Sequence, residues 1–263
     1  MLHAVTTKAG RYVQGGGCAT VGVAGLIQSG GFGSFSKNYG LAAASLLQAE
    51  VVTADGKTLI ANACTNPDLF WALKGGGGGS LGVVTKVTLA TYELPEFFGR
   101  VGGLIKANSD AAFRKLIGAF MRFYYEKLFN PHWGESVSFG ANNALLLNMA
   151  FQGLDQPQAE AAWKPFLDFL AESPLDFVLA EAPKIHTIPA RHYWDPEYRK
   201  RVLPKSVMAD NRPGASSENI SWAGNQIEVS IFIYGYESLW LPASPATAAG
   251  PLRRYPICEL ATF

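Results

Sequence analysis

Glycine is spread unevenly along this chain, and that limits what the chain can fold into. Of the 28 glycines in 263 residues, 17 lie in residues 1–82 and 11 in the rest. Glycine gives up more backbone entropy on folding than any other residue. A cluster therefore needs a reason, such as positive φ or close approach of backbone to a ligand. Flexible low complexity is the bland alternative. It suits this stretch poorly, because Val, Ile, Leu and Phe interrupt the glycines throughout. We place a boundary near Leu94-Pro95-Glu96. The expected division is residues 1–94, residues 95–242 and an irregular tail at 243–263, which carries prolines and little periodicity.

The local pattern changes at the same point. Tyr12 to Gly33 reads as a glycine-rich loop, and Leu41 to Leu47 as a short helix. Asp55-Gly56 between β-formers predicts a hairpin of Ala49–Ala54 with Lys57–Ala61. Asn66-Pro67-Asp68 has the form of a helix start, with the helix running Leu69–Lys74 and stopping at Gly75. Val83–Thr91 reads as a strand with Val83, Val87 and Leu89 on one face. Beyond residue 95, Val101–Lys106, Ala144–Phe151 and Ile227–Tyr234 read as strands. Ser109 caps a helix bearing Phe113, Leu116, Ile117, Phe120 and Tyr124. Asp155 and Pro157 open another, with Trp163, Phe166, Leu167 and Leu170 on one face. The alternation implies an α+β chain, with an antiparallel sheet covered by helices in its second part.

Composition excludes several classes. Lys plus Arg is 22 and Asp plus Glu 21, so the formal net charge is +1 and no basic surplus marks a nucleic-acid binder. At 48 % apolar and 16 % charged, the chain is not disordered. Cys18, Cys64 and Cys258 form no Cys-x-x-Cys pair, so neither a disulfide scaffold nor a metal site is expected. No run approaches the roughly 18–20 apolar residues of a membrane span. The first ten residues lack the apolar core of a signal peptide. No membrane partner is expected, and the default compartment is the cytoplasm. The oligomeric state is left open.

Gly77-x-Gly79-x-x-Gly82 has the spacing of a dinucleotide fingerprint. That fingerprint needs a strand before it and a helix after it, and here the order is reversed. No Gly-x-x-x-x-Gly-Lys-Ser/Thr phosphate loop is present, since Gly56-Lys57-Thr58 has Val51 where the first glycine would stand. Two readings of the glycines stay open: backbone N–H groups gathered around an anion such as pyrophosphate, or tight turns alone. Cys18, within Gly15-Gly16-Gly17-Cys18-Ala19-Thr20-Val21-Gly22-Val23, is either a small buried hydrophobe or a reactive thiol.

The run GGGCATVGVAGLIQSGGFGSFSKNYGLAAASLLQAEVVTADG, followed by NPDLFWALKGGGGGSLGVVTKVTL, resembles the FAD-linked oxidases of the vanillyl-alcohol oxidase (PCMH) type. It is most similar to their berberine-bridge-enzyme-like branch. The likeness is close over about residues 10–92. It continues more loosely to about 242, through RHYWDPEYRKRVLP and SWAGNQIEVSIFIYGYESLWLPAS. It implies that residues 1–94 are the second half of an FAD-binding domain and that 95–242 form a substrate domain. It implies a cysteine bond from Cys18 to C6 of the flavin ring, with Gly22, Val23 and Gly25 against the ring and ribityl chain. Gly30, Gly31 and Gly33 match the next turn by the cofactor, and Gly82, Val83 and Val84 the strand start at the adenine half. The implied activity is FAD-dependent oxidation of a CH–OH or similar donor, such as a sugar or alcohol. Hydride would pass to a covalently held flavin, with dioxygen as acceptor.

This chain departs from the family pattern at several points. Cys18-Ala19-Thr20 stands for the commoner Cys-Pro-Thr, and Ala42-Ala43-Ala44-Ser45 for Ala-Ala-Asp-Asn. The family's Arg-x-Gly-Gly-His loop, whose histidine makes a second flavin bond, would precede residue 1. None of His3, His132, His186 or His192 sits in such a loop, and the family's closing segment is not visible. The resemblance thus implies an internal stretch of such an oxidase, expected by itself to hold FAD poorly and to be inactive. The alternative is a remnant that no longer binds flavin, and a third reading, resting on aromatic content, is a carbohydrate-binding module. Tyr193, Asp195, Glu228, Tyr234 and Tyr236 are candidate proton acceptors, with surface carboxylates and core tyrosines as the bland reading. No catalytic base is assigned.

Overall fold

The computed structural model describes residues 2–16, 21–134, 136–202, 207–209 and 220–222. The chain is α+β. It opens with α1 (Leu2–Lys8) and β1 (Arg11–Tyr12), then α2 (Val23–Gln28) and α3 (Ser36–Tyr39). Strands β2 (Leu46–Val52) and β3 (Thr58–Asn62) follow, then α4 (Pro67–Leu73), β4 (Val83–Leu89) and β5 (Tyr92–Glu93). β3-β2-β4 form one antiparallel sheet, and β1 pairs with β5.

The hairpin turns where Asp55-Gly56 predicts, with Gly56 at φ 77° and Lys57 closing onto Thr53. Other details differ from expectation. The loop expected over Tyr12–Gly33 contains α2. The helix expected at Leu41–Leu47 is one 3-10 turn, Ala42–Ser45, before β2 begins. Asn66 precedes α4 but does not cap it with its side chain. Its backbone is left-handed (φ 48°, ψ 54°), and its amide donates to the Ile60 carbonyl at 2.8 Å. In β4 a register shift leaves Thr85 as an extra residue, between Val84 opposite Val51 and Lys86 opposite Glu50. An extra residue reverses the inside–outside alternation. Val84, Val87 and Leu89 therefore pack inward, and Val83 is 68 % exposed rather than facing the core with Val87.

The second sheet is built from β6 (Phe97–Ala107), β7 (Trp133–Gly134), β8 (Val137–Gly140), β9 (Ala144–Gln152) and β10 (Phe177–Pro189). Its order is β10-β6-β9-β7, with β8 also on β9. Helices α5 (Asp110–Phe123) and α6 (Gln156–Ala171) cover one face. Ser109 caps α5 through Ala112 N, and Asp155 with Gln158 closes a capping box on α6. Val101, Ile105, Leu145, Leu147, Met149 and Phe151 meet Leu116, Phe120, Phe123, Trp163, Phe166 and Leu170 in the core.

β10 is absent from the sequence reading because Pro183 interrupts its β-formers. Proline is tolerated on an edge strand, and β10 is an edge. Two register shifts absorb the irregularity. Gly103 on β6 lets Pro183 approach, since a Cβ there would lie 2.8 Å from Pro183 Cα. The chain continues through α7 (Pro196–Val202) to β11 (Val207–Ala209), which pairs with β12 (Ile220–Trp222). The strand expected at Ile227–Tyr234 and the tail at 243–263 lie outside the described residues.

Candidate functional site

A third apolar cluster draws on both sides of residue 94. Tyr12, Phe35, Phe98 and Ala190 are buried together, with Tyr39, Tyr92, Ala150 and Tyr193 against them. Tyr12 is the hub, its ring 4.8 Å from Tyr39 and 5.7 Å from Phe98 between centroids. Burial raises the Tyr12 phenol far above its usual range, so it stays protonated, and it donates to Gln14 Oε1 at 2.8 Å. Buried Gln14 in turn donates to Ser36 Oγ (2.9 Å) and to the Gly40 carbonyl (3.1 Å). The cluster thereby fixes Gln14-Gly15-Gly16, which lead toward Cys18.

The glycine loops converge beside this cluster. Gly77 N donates to Gln28 O at 2.8 Å, joining the Gly75–Gly79 loop to the end of α2. Ala42 N and Ala43 N donate to Gly31 O and Gly30 O at 2.7 and 3.0 Å. Gly33 N donates to Ser36 Oγ at 2.9 Å. The N–H groups of Gly30, Gly33, Gly76 and Gly77 are thus spent on the chain's own acceptors. Trp71, 81 % exposed, flanks these loops in a surface recess with Phe70, Lys74, Gly75 and Gly76. Sequence reasoning missed it, because an apolar residue on a helix is expected to face inward.

The predicted cofactor residues divide into two groups. Four glycines have a reason within the chain itself. Gly30 and Gly31 have φ 89° and 75°, and a Cβ on Gly31 would lie 2.6 Å from Ala42 Cβ. A Cβ on Gly33 would collide with the Gly15 carbonyl. Gly82, at φ 139°, would meet Val52 O at 2.5 Å. Left-handed backbone at Gly30, Gly31 and Gly82, and close approach of the Gly15 segment at Gly33, account for these four. Gly22 and Gly25 are different. Both have ordinary φ, and among the described residues nothing lies within 4 Å of a Cβ on either. Val23 opens α2 between them. Val84 belongs to the core beneath β2, and Val83 faces outward. Cys18 lies outside the described residues.

Of the proton-acceptor candidates, Tyr193 and Asp195 are described, and both have structural partners. Tyr193 packs on Phe98 and under the Arg199 guanidinium. Asp195 accepts from Glu197 N and Tyr198 N at 3.0 and 3.2 Å, capping α7. Burial pushes its carboxyl up, but the Tyr198 N–H, His192 and the Glu197 N–H outweigh that and hold it below the usual range. Glu228, Tyr234 and Tyr236 lie outside the described residues. His3 lies outside any Arg-x-Gly-Gly-His loop, and its ring stacks on Trp194 at 4.7 Å and reaches the Gly15–Gly16 backbone. Burial lowers its pKa to about 4, so the imidazole is neutral near pH 7. Among the described residues no group of three or more His, Cys, Asp or Glu is placed to hold a metal ion, and no helix is long and apolar enough to cross a membrane.

Residues 1–62 match the FAD binding domain family. The VAO-type flavoprotein oxidase VAO615 of Thermothelomyces thermophilus is 32 % identical over 233 residues, which cover 81 % of this chain and 39 % of that protein. The crystal structure of VAO-type flavoprotein MtVAO615 from Myceliophthora thermophila C1 superposes with TM-score 0.61 at 29 % identity, covering 73 % of this chain and 35 % of that one. The carbohydrate oxidase of Microdochium nivale, solved with a substrate analogue, gives TM-score 0.55 at 30 % identity over 72 % of this chain and 39 % of its own. The chain thus spans about two fifths of the length of these relatives.

Proposed function

Because the chain belongs, over the length it spans, to the FAD-linked oxidases of the vanillyl-alcohol oxidase type, we propose that it contributes the second half of a flavin site, in residues 1–94, and a substrate domain, in residues 95–242. What supports this reading is the match of residues 1–62 to the FAD binding domain, a stretch in which Gly22 and Gly25 leave open space beside the backbone. Gly22, Val23 and Gly25 lie against the ring and ribityl chain in this reading. Gly30, Gly31 and Gly33 shape the adjoining turn, and Gly82, Val83 and Val84 border the adenine half. Cys18 is the attachment point, through its sulfur to C6 of the ring. When bound, FAD would supply the two-electron chemistry that oxidises the donor carbon, with dioxygen as the electron acceptor. The donor is a CH–OH compound, a class supported by the likeness to a carbohydrate oxidase.

The chain's own contribution is placement. Backbone without side chains lets a planar ring approach, and the Tyr12–Gln14–Ser36 bonds hold the approach segment in one geometry. A titration of the purified chain with FAD, followed by flavin fluorescence, tests this. Gly25→Ala replaces glycine within a helix, so stability holds or rises by up to about 1 kcal/mol. The added methyl occupies the cofactor's space, so FAD affinity is expected to fall about tenfold or more. Equal FAD binding by both forms would refute the cradle. Failure to retain flavin even when joined to the first FAD-binding half of a VAO-type relative would favour the remnant instead.

A further inference from the structure

Gly15 is packed from three sides. A Cβ on Gly33 would collide with the Gly15 carbonyl, and a Cβ on Gly15 would lie 3.7 Å from Leu26 Cδ2 on α2 and 3.2 Å from His3 Nε2 on α1. The imidazole edge is thus the wall of this segment on the α1 side. Buried Thr7 steadies that wall, its hydroxyl donating to the His3 carbonyl at 2.8 Å. The imidazole is nearly parallel to two other rings. Tyr12 lies 6.4 Å away at 28°, and Trp194 lies 4.7 Å away at 18°. Turning the imidazole would forfeit both stacks.

Trp194 belongs to the second part of the chain. It follows the turn Ala190–His192, where Ala190 N donates to Glu96 O at 2.9 Å, just before β6. Tyr193 meets Trp194 edge-on at 5.0 Å and packs on Phe98 of β6 at 5.1 Å. Trp194 is therefore fixed to the five-stranded sheet, and His3 passes its position to the glycine segment. We propose, resting on the flavin reading above, that Trp194 acts through His3 as a positioning residue for flavin attachment. Cys18, outside the described residues, follows Gly16 by two positions. Attachment joins its sulfur to C6 of the ring. The thiol hydrogen and the C6 hydrogen leave with two electrons, which dioxygen takes up as hydrogen peroxide. Such a bond forms only in a close and oriented approach, where a displacement of about 1 Å can cost about a hundredfold in rate. Until the second part has docked, His3 lacks the Trp194 stack, so attachment waits for the substrate domain.

The test joins the full chain to the first FAD-binding half of a VAO-type relative and separates attachment from binding. FAD affinity is measured without oxygen, where attachment cannot be completed, and the rate of covalent incorporation is measured in air. Trp194→Leu is expected to slow attachment about tenfold and to leave the affinity within about twofold. Trp194→Phe, which keeps a ring, should restore most of the rate. His3→Leu should slow attachment as Trp194→Leu does, and the two together no further, because they act in series. Phe177→Leu, in the aromatic core beside Phe169, should lower stability and leave the rate unchanged. If Trp194→Leu does not fold, His3→Leu carries the test. An unchanged rate in either variant, a rate and an affinity that fall together, or effects of His3 and Trp194 that multiply would overturn the proposal. No attachment in the unsubstituted protein would overturn the attachment reading itself, and this role with it.

Discussion

The core beneath α5 and α6 holds Trp133, Trp163, Phe151 and Phe166, each no more than 2 % exposed. The core around β2 holds Ile27, Leu46, Val51, Leu73 and four alanines, Ala42, Ala43, Ala49 and Ala61. The first region is filled by large side chains. In the second, small residues let backbone segments approach one another, with turns fixed by left-handed glycines. Aromatic filling gives rigidity and leaves no room. Backbone-to-backbone packing leaves open positions such as Gly22 and Gly25. The proposed cofactor site thus falls in the region with the smaller core.

The largest expected effect lies in the aromatic core. Trp163→Ala removes the ring packed on Phe123, Phe166 and Trp133, and should cost about 3–5 kcal/mol. The urea midpoint should fall with an unchanged m-value. A cost below about 1 kcal/mol would mean that this core is not what holds the sheet.

The next effect is electrostatic and belongs to the glycine-dense side. Burial depresses the His3 pKa to about 4, below the unfolded value near 6.5. Between those limits the unfolded chain binds the extra proton, so stability is full above about pH 6.5 and falls on acidification toward pH 4. The loss attributable to His3 is up to about 3 kcal/mol, from 1.36 kcal/mol per pKa unit. His3→Gln should flatten that part of the stability–pH curve, and an unchanged slope would show that the imidazole is not buried in solution.

A smaller effect separates the two kinds of glycine. Gly82→Ala forces a side chain into positive φ, 2.5 Å from Val52 O, and should cost about 1–3 kcal/mol. Gly22→Ala meets no described atom and should shift the melting midpoint by the equivalent of about 0.5 kcal/mol or less. Similar costs at both positions would erase the distinction between turn glycines and cradle glycines.

Much of this architecture is legible in the sequence, where local chemistry decides it. Asp55-Gly56 announces the hairpin, Ser109 and Asp155 announce their helices, and the family motif marks Gly22 to Gly33. What escaped depends on contacts distant in sequence. β10 becomes a strand only because Gly103 on β6 accepts Pro183. Val84 rather than Val83 turns inward because Thr85 is bulged against Glu50. Asn66 uses its amide on Ile60, across the β3 turn, rather than on its own helix. The clustering of Tyr12, Phe35, Phe98 and Tyr193 joins positions up to 181 apart, beyond any local periodicity.

Attachment at Cys18 can be tested most directly by mapping the flavin-bearing peptide. The chain is joined to the first FAD-binding half of a VAO-type relative, incubated with excess FAD, denatured in acid and digested, and the flavin-bearing peptide is identified by absorbance and mass spectrometry. The account predicts flavin on the peptide containing Cys18 and none after Cys18→Ala. Flavin on the Cys64 or Cys258 peptide, or attachment that survives Cys18→Ala, would contradict it.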